Sequence, residues 1–166
     1  MSKFQQADTR DDKTTDVWLT PPAIISALTK NGMSFDLDPA YSLPRPIETA
    51  DRYYGETEDG LAQEWCGSVF CNPPYGKAAG LFVKKCKEHG DSVVLTFART
   101  ETRWWHDHVW NSASGILFFK GRLKFISSVT LEAGDASPAP SALIAYGDSA
   151  LSRLKDSELV GKLIIL

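Results

Sequence analysis

Hydrophobic positions follow two different spacings along this chain, and together they predict strands separated by helices. Alternating or continuous apolar runs predict strands over 33-MSFDLD-38, 69-VFC-71, 92-SVVLTFA-98 and 141-SALIAYG-147. The third of these runs is apolar throughout, which is typical of a central parallel strand. The segment 115-GILFFKGRLKFI-126 predicts a hairpin that turns near Gly121. Residues 40–60, which carry prolines and many acids, are predicted to be irregular.

Helical spacing marks the segments between these strands. Thr20 is expected to cap a first helix that Pro21 and Pro22 open. Apolar positions recur at helical spacing from Ala79 until Gly90, which is expected to end the second helix. Residues 100–110 predict a third helix. Strands that alternate with helices indicate an α/β fold built from βαβ units.

Composition and charge limit what such a fold can do. A chain of 166 residues with 43% hydrophobic content fits one domain, predicted over residues 16–166, behind a flexible polar tail at residues 1–15. The absence of a long apolar run or an apolar leader favours a cytoplasmic protein without a membrane segment. A net charge of −3 argues against binding nucleic acid by bulk electrostatics alone, although basic residues gather in the later half.

The cysteines are interpreted as buried thiols rather than as a metal site. Cys66, Cys71 and Cys86 form no C-x-x-C pair, and three is an odd number for a disulfide framework. Zinc bound by these cysteines and His89 is the alternative. Cys71 lies in a predicted apolar strand and Cys86 on the apolar stripe of a predicted helix, so no metal is expected.

Polar residues cluster where three predicted strands end. The end of the first strand carries Asp36, Asp38 and Pro39, the second strand is followed by 72-NPPY-75 and the third by 99-RTETR-103. Ligands of parallel α/β sheets bind beyond the carboxyl ends of the strands, so one crevice is expected to hold all three groups.

The segment 72-NPPY-75, which is predicted to form a rigid turn, has groups that could activate a weakly nucleophilic amino group. The lone pair of an exocyclic amino nitrogen is delocalised into its ring, and accepting hydrogen bonds from both N–H groups exposes it. The Asn72 side-chain oxygen and the Pro73 carbonyl could be the two acceptors, held rigid by the prolines. Tyr75 could stack on the base that they hold.

This corner resembles the catalytic tetrapeptide of amino-methyltransferases that use S-adenosylmethionine, in which Asp, Asn or Ser precedes Pro-Pro and an aromatic residue. The wider chain resembles the phage-type DNA N6-adenine methyltransferases over about residues 16–147. The segments that carry this resemblance are 16-DVWLTPPAIISAL-28, 35-FDLDPA-40, 58-EDGLAQEW-65, 71-CNPPYG-76, 97-FARTETRWWHD-107, 121-GRLKF-125 and 138-PAPSALIAYG-147.

The resemblance implies a compact Rossmann-like sheet with helices on both faces, a cofactor and a mechanism. The sheet would be shortened, since only 33 residues separate Asp38 from Asn72. S-adenosylmethionine would donate a methyl group in line to the N6 atom of an adenine flipped out of double-stranded DNA and stacked on Tyr75. The residues implied to act in catalysis are Asn72, Pro73, Pro74 and Tyr75.

The resemblance also implies residues that bind the cofactor and the DNA. The cofactor residues are Thr20, Pro21, Asp36, Asp38, Pro39, Ala40 and Asp59. The DNA-contacting residues are Lys77, Arg99, Arg103, Arg122 and Lys124. The usual Gly-x-Gly loop is absent, because no glycine follows 35-FDLDPA-40 before Gly55. Asp36 on an alternating strand could instead face solvent, and scattered basic residues are often simply solvated.

Two other functions fit parts of the same pattern. The tetrapeptide also serves enzymes that methylate an RNA base or a glutamine of a protein, which usually carry a glycine-rich first loop. Asn-Pro-x-Tyr is in addition a peptide motif that adaptor domains bind, but that use requires an exposed flexible segment. Here the motif lies between a predicted core strand and a predicted amphipathic helix.

Overall fold

The computed structural model describes residues 18–44 and 46–166, and the predicted tail at residues 1–15 lies outside them. The strands are β1 (Leu37–Asp38), β2 (Arg52–Tyr53), β3 (Val69–Cys71), β4 (Ser92–Phe97), β5 (Gly115–Phe119), β6 (Ser141–Tyr146) and β7 (Gly161–Ile165). The helices are α1 (Pro22–Leu28), α2 (Ala79–His89), α3 (Arg103–Trp105), which continues as a π-helix over His106–Trp110, and α4 (Asp148–Asp156). The prediction of an α/β fold is confirmed. No helix among the described residues has both the length and the apolar composition needed to cross a membrane.

The seven strands form one sheet in the order β2-β1-β3-β4-β6-β5-β7. Strands β2, β1, β3 and β4 are parallel to one another. Strand β6 is antiparallel to both β4 and β5, and β7 is antiparallel to β5. Strand β5 therefore runs in the same direction as β1 to β4. The carboxyl ends of all five strands meet at one edge of the sheet, called here the carboxyl edge.

The core has two layers because buried strands present alternate side chains to opposite faces of the sheet. On β4, Val93, Leu95 and Phe97 pack in the cluster that contains the apolar residues of α1 and α4. Val94 packs in the other cluster, with residues of α2 and with Trp105 of α3. Helices thus cover both faces of the sheet, as predicted.

Most of the helices and strands that local sequence patterns predict are present. Strands β3, β4 and β6 and helix α2 lie where the hydrophobic spacing places them, and Gly90 ends α2 with a left-handed φ of 85°. The parallel neighbour of β4 is β3, while its other neighbour is antiparallel. Of the predicted strand 33-MSFDLD-38, only Leu37–Asp38 joins the sheet.

Two predictions about local structure are wrong. The segment after β5 does not return as a hairpin at Gly121, because β6 and β7 already occupy both edges of β5. Ile126 instead forms isolated bridges with Leu19 and Ala133. Thr20 does not cap α1, whose N-cap residue is Pro21 without a side-chain hydrogen bond. Helix α4 and strand β7 were not predicted.

Arg153 of α4 connects this helix to the segment around α1. Its side chain is only 6% exposed, and its guanidinium group donates hydrogen bonds to the carbonyl oxygens of Leu28 (3.1 Å) and Ser34 (2.7 Å). The guanidinium carbon also lies 4.2 Å from the centre of the Phe35 ring. A buried cation held in this way links elements more than 100 residues apart in sequence.

We expect Arg153→Met to lower the free energy of unfolding by about 2–4 kcal/mol, because the carbonyl oxygens of buried Leu28 and of Ser34 lose a charged donor. Urea denaturation measures the change. The control is Lys155→Met on the same helix, where the side chain is exposed and the expected change is within about 0.5 kcal/mol. Equal stability losses in the two variants would contradict the role of Arg153.

Candidate functional site

Two adjacent pockets open at the carboxyl edge. The Asn72 pocket holds about 470 Å³ of empty space and is lined by Thr20, Asp38, Asn72, Pro73 and Pro74 among others. The Asp59 pocket holds about 730 Å³ and is lined by Pro39, Asp59, Gly60, Leu61 and Phe82 among others. The pockets share the wall residues Ala40, Tyr41, Ser42 and Pro74.

Asn72 follows β3 directly, and its two amide atoms have different surroundings. Its Nδ2 atom donates hydrogen bonds to the Trp18 carbonyl oxygen (2.6 Å) and to Thr20 Oγ1 (3.0 Å). Its Oδ1 atom is buried and has no hydrogen-bond partner within the described residues. A buried amide oxygen without a partner costs about 1–3 kcal/mol, so this atom is suited to accept a hydrogen bond from a ligand.

Asp38 ends β1 and shapes the loop beside Asn72. Its side chain is 5% exposed, and its carboxylate accepts hydrogen bonds from the Ala40 backbone N–H (3.1 Å) and from the Thr49 hydroxyl. These bonds hold the turn that carries Pro39 and Ala40 into the wall between the pockets. Asp38 thus organises the loop in addition to lining the Asn72 pocket.

The Asp59 pocket depends on a close backbone contact. A Cβ atom on Gly60 would lie 1.9 Å from the Pro39 carbonyl oxygen, so only glycine fits at this position. Asp59, with a left-handed φ of 50°, accepts a hydrogen bond from the Leu61 N–H at 3.2 Å. Gly60 therefore allows this loop to pack directly against the backbone of Pro39, the residue that follows β1.

Lys85 of α2 holds the same loop from outside. Its ammonium group donates to the carbonyl oxygens of Leu61 (2.6 Å), Gly60 (3.3 Å) and Gln63. Trp65 Nε1 also donates to the Gly60 carbonyl (2.8 Å), and the ammonium nitrogen lies 4.9 Å from the centre of the Trp65 ring. Neither residue was predicted, because the contacts of Lys85 span 22 to 25 residues and have no local signal.

Tyr75 lies in the core rather than in the lining of either pocket. It is 8% exposed and stacks on Phe97, with ring centres 4.1 Å apart, while Phe125 contacts it edge-on. Burial raises the pKa of the Tyr75 hydroxyl, which therefore stays protonated at neutral pH. Phe97 therefore covers one face of the Tyr75 ring.

Asp36 and Pro21, two of the predicted cofactor residues, do not line either pocket. Asp36 is exposed and accepts hydrogen bonds from the Ser68 N–H (2.7 Å) and the Ser68 hydroxyl (2.9 Å), which lower the pKa of its carboxyl group. Pro21 precedes α1, and its carbonyl oxygen accepts a hydrogen bond from the Ile24 N–H. The position of Asp36 fits the alternative in which it faces solvent.

The predicted DNA-contacting residues are exposed and do not line the pockets. These residues are Lys77, Arg99, Arg103, Arg122 and Lys124. Arg99 follows β4 and Arg122 follows β5, so both leave the sheet at the carboxyl edge. Arg122 donates to the Ser137 carbonyl oxygen at 3.3 Å, and the Arg99 guanidinium carbon lies 5.7 Å from the centre of the Phe97 ring. Arg99, Arg122 and Lys124, which follow strands that end at the carboxyl edge, are called here the basic rim.

The buried-thiol interpretation holds for two of the three cysteines. Cys71 and Cys86 have no exposed surface, and burial raises the pKa of the Cys71 thiol. Cys66 is exposed, and its sulfur accepts a hydrogen bond from Arg52.

Comparison with known protein families gives one match. The family model described as DNA N-6-adenine-methyltransferase (Dam) matches residues 6–153 of the chain, which is well over half of its length. No curated protein and no solved structure matches the chain.

Lys85→Met should loosen the loop that walls the Asp59 pocket. A hydrogen bond to a charged group contributes about 1.5–3 kcal/mol, so amide hydrogen exchange in residues 58–65 is expected to accelerate roughly tenfold or more. Hydrogen exchange followed by mass spectrometry measures the effect. Lys84→Met is the matched control, because Lys84 lies on the same helix and contacts only exposed Glu88 in an ion pair. Unchanged exchange in the Lys85 variant would show that Lys85 does not hold the loop.

Proposed function

Because the chain belongs to the family of DNA N-6-adenine-methyltransferases, we propose that it methylates adenine N6 by direct transfer from S-adenosylmethionine to a base flipped out of the duplex. Family membership makes the chain an enzyme that methylates adenine in DNA. The methyl donor, the flipped base and the roles of single residues are the proposal. The observation that carries it is the buried Oδ1 atom of Asn72, which has no partner among the described residues.

Asn72 and Pro73 are proposed to hold the target amino group. The Asn72 Oδ1 atom accepts a hydrogen bond from one N–H of the adenine amino group, and the Pro73 carbonyl accepts one from the other. Two acceptors favour a pyramidal nitrogen whose lone pair is exposed to the methyl donor. Because the prolines and the end of β3 fix both acceptors before the base arrives, little reorganisation accompanies the reaction. Tyr75 is proposed to contact the base from the core position in which it stacks on Phe97.

The two pockets fit S-adenosylmethionine in shape and chemistry. Leu61 and Phe82 give the Asp59 pocket apolar walls for a nucleobase, and the Asp59 carboxylate suits the hydroxyl groups of a ribose. The Asn72 pocket, with Thr20 and buried Asp38, suits the polar methionine end. The wall that the pockets share makes them neighbours, so one elongated ligand can span both. S-adenosylmethionine supplies an electrophilic methyl group when bound.

Double-stranded DNA is the proposed partner of the basic rim. Arg99, Arg122 and Lys124 are exposed and follow strands that end at the same edge of the sheet as Asn72. They are proposed to neutralise phosphates on either side of a flipped adenine. Extruding the base costs a few kcal/mol, and contacts to phosphates and to the flipped base offset this cost. A local basic rim allows DNA binding despite the net charge of −3.

Asn72→Ala should lower kcat by about 10²–10³-fold, the loss typical of one preorganised polar contact. Transfer of labelled methyl to unmethylated duplex DNA, followed by digestion and identification of the nucleoside, measures it. RNA and protein substrates tested in parallel separate the proposed substrate from a methylated RNA base or protein glutamine. Asn111→Ala is the control, because Asn111 is exposed between the π-helix and β5, away from the carboxyl edge. Near-normal turnover by Asn72→Ala with cofactor bound would contradict the role of Asn72.

Gly60→Ala should weaken binding of S-adenosylmethionine. The added methyl group cannot coexist with the Pro39 carbonyl oxygen 1.9 Å away, so the Asp59 wall must shift. We expect Kd to rise by about tenfold or more, measured by calorimetry without DNA. Gly134→Ala is the matched control, since a Cβ atom there would meet only the Phe125 carbonyl oxygen at 3.4 Å. Equal affinities of the two variants for S-adenosylmethionine would contradict the proposal that the Asp59 pocket binds the cofactor.

A further inference from the structure

The segment Trp18–Thr20 holds the nitrogen side of the Asn72 amide although it is 52 to 54 residues away in sequence. We infer that the Trp18 carbonyl and the Thr20 hydroxyl are the positioning groups of Asn72 and that they require Asn rather than Asp at this position. The inference rests on the proposed role of Asn72 as the acceptor for the target amino group. Thr20, predicted as a cofactor residue, is thereby assigned a second task.

The chemistry of the Trp18 carbonyl determines which way the amide points. A backbone carbonyl oxygen can only accept a hydrogen bond, and it lies 2.6 Å from the Asn72 amide nitrogen. With the amide reversed, two oxygen atoms would face each other at this distance and repel. The Oδ1 atom is therefore directed away from Trp18, and it is the atom left without a partner in the described part of the chain.

The segment that carries these positioning groups is itself anchored. The Leu19 N–H donates to the Ile126 carbonyl (3.3 Å), and the Ile126 N–H donates to the Leu19 carbonyl (3.0 Å). The Trp18 ring packs edge-on against Phe125, with ring centres 5.7 Å apart. Thr20 is 5% exposed, so water does not easily compete for its hydroxyl. The amide of Asn72 is thus fixed by a segment that the chain following β5 keeps in place.

An aspartate cannot replace Asn72 in these surroundings at neutral pH. The tetrapeptide of the amino-methyltransferases accepts Asp or Asn at this position, but here a carboxylate oxygen would face the Trp18 carbonyl. Only the protonated carboxyl group can donate to that carbonyl. Among the described residues, the other titratable side chains that line the Asn72 pocket are those of Asp38 and Tyr41, and the Asp38 carboxylate further disfavours a second negative charge.

The first experiment is the pH dependence of Asn72→Asp relative to the unmodified enzyme. The pKa of the introduced carboxyl group should be raised above its usual value of about 3.9. The ratio of kcat values should therefore be lowest near about pH 8 and rise toward about pH 5.5, as the protonated form becomes able to donate to Trp18. If kcat of Asn72→Asp equalled kcat of the unmodified enzyme at all pH values, the inference would be overturned.

The second experiment compares Thr20→Val with Thr20→Ser. Valine has the shape of threonine but no acceptor, so kcat should fall by about tenfold with the KM values for DNA and cofactor little changed. Serine retains the hydroxyl group and should restore kcat. A rise in KM for the cofactor at unchanged kcat would instead assign Thr20 to cofactor binding alone and overturn its positioning role.

A third measurement does not depend on activity. In nitrogen-15 NMR spectra, both side-chain amide protons of Asn72 should be protected from exchange, and Thr20→Val should selectively accelerate the exchange of one of them. Fast exchange of both protons in the unmodified protein would overturn the inference. If protection is found but no DNA is methylated, the positioning is supported and the proposed function fails. If DNA is methylated and protection is missing, the positioning alone fails.

Discussion

The parallel pairing of β3 with β1 on one side and with β4 on the other is the constraint on which the site depends. Strand β3 has three residues, all buried, and ends immediately before Asn72. Its ladders fix where the chain leaves the sheet, between Asp38 at the end of β1 and Ala98 after β4. Asn72, the proposed acceptor for the target amino group, is therefore placed by the sheet, and a group held by regular structure is held more firmly than one on a free loop.

The two sides of the Asn72 amide contribute differently to stability and function. Its nitrogen forms two hydrogen bonds within the protein, whereas its oxygen is buried without a partner among the described residues. Leaving that oxygen unpaired costs about 1–3 kcal/mol of folding free energy. The proposed substrate removes this cost when its amino group binds, so the acceptor is already desolvated and oriented before the reaction begins.

The short connection between β1 and β3 explains how the pocket that is proposed to bind the cofactor is built. It contains the two-residue strand β2 and turns, and its described residues include no helix. Backbone carbonyls in such a loop lack helical partners and must find other donors. Lys85 and Trp65 supply them, and Gly60 permits the close contact between this loop and the Pro39 backbone.

The sequence by itself determined β3, β4, β6 and α2, which local hydrophobic patterns predict, and it determined the proline corner at Asn72. Hydrophobic periodicity and turn chemistry act within a few residues, so both can be read from the sequence. It also carried the family resemblance that the family match confirms. Only the tertiary structure decided that β5 forms no hairpin, since its free edge is taken by β7 from the end of the chain. The same is true of the partners of Thr20 and Lys85, because hydrogen bonds between residues 22 to 54 positions apart depend on how the sheet brings distant segments together.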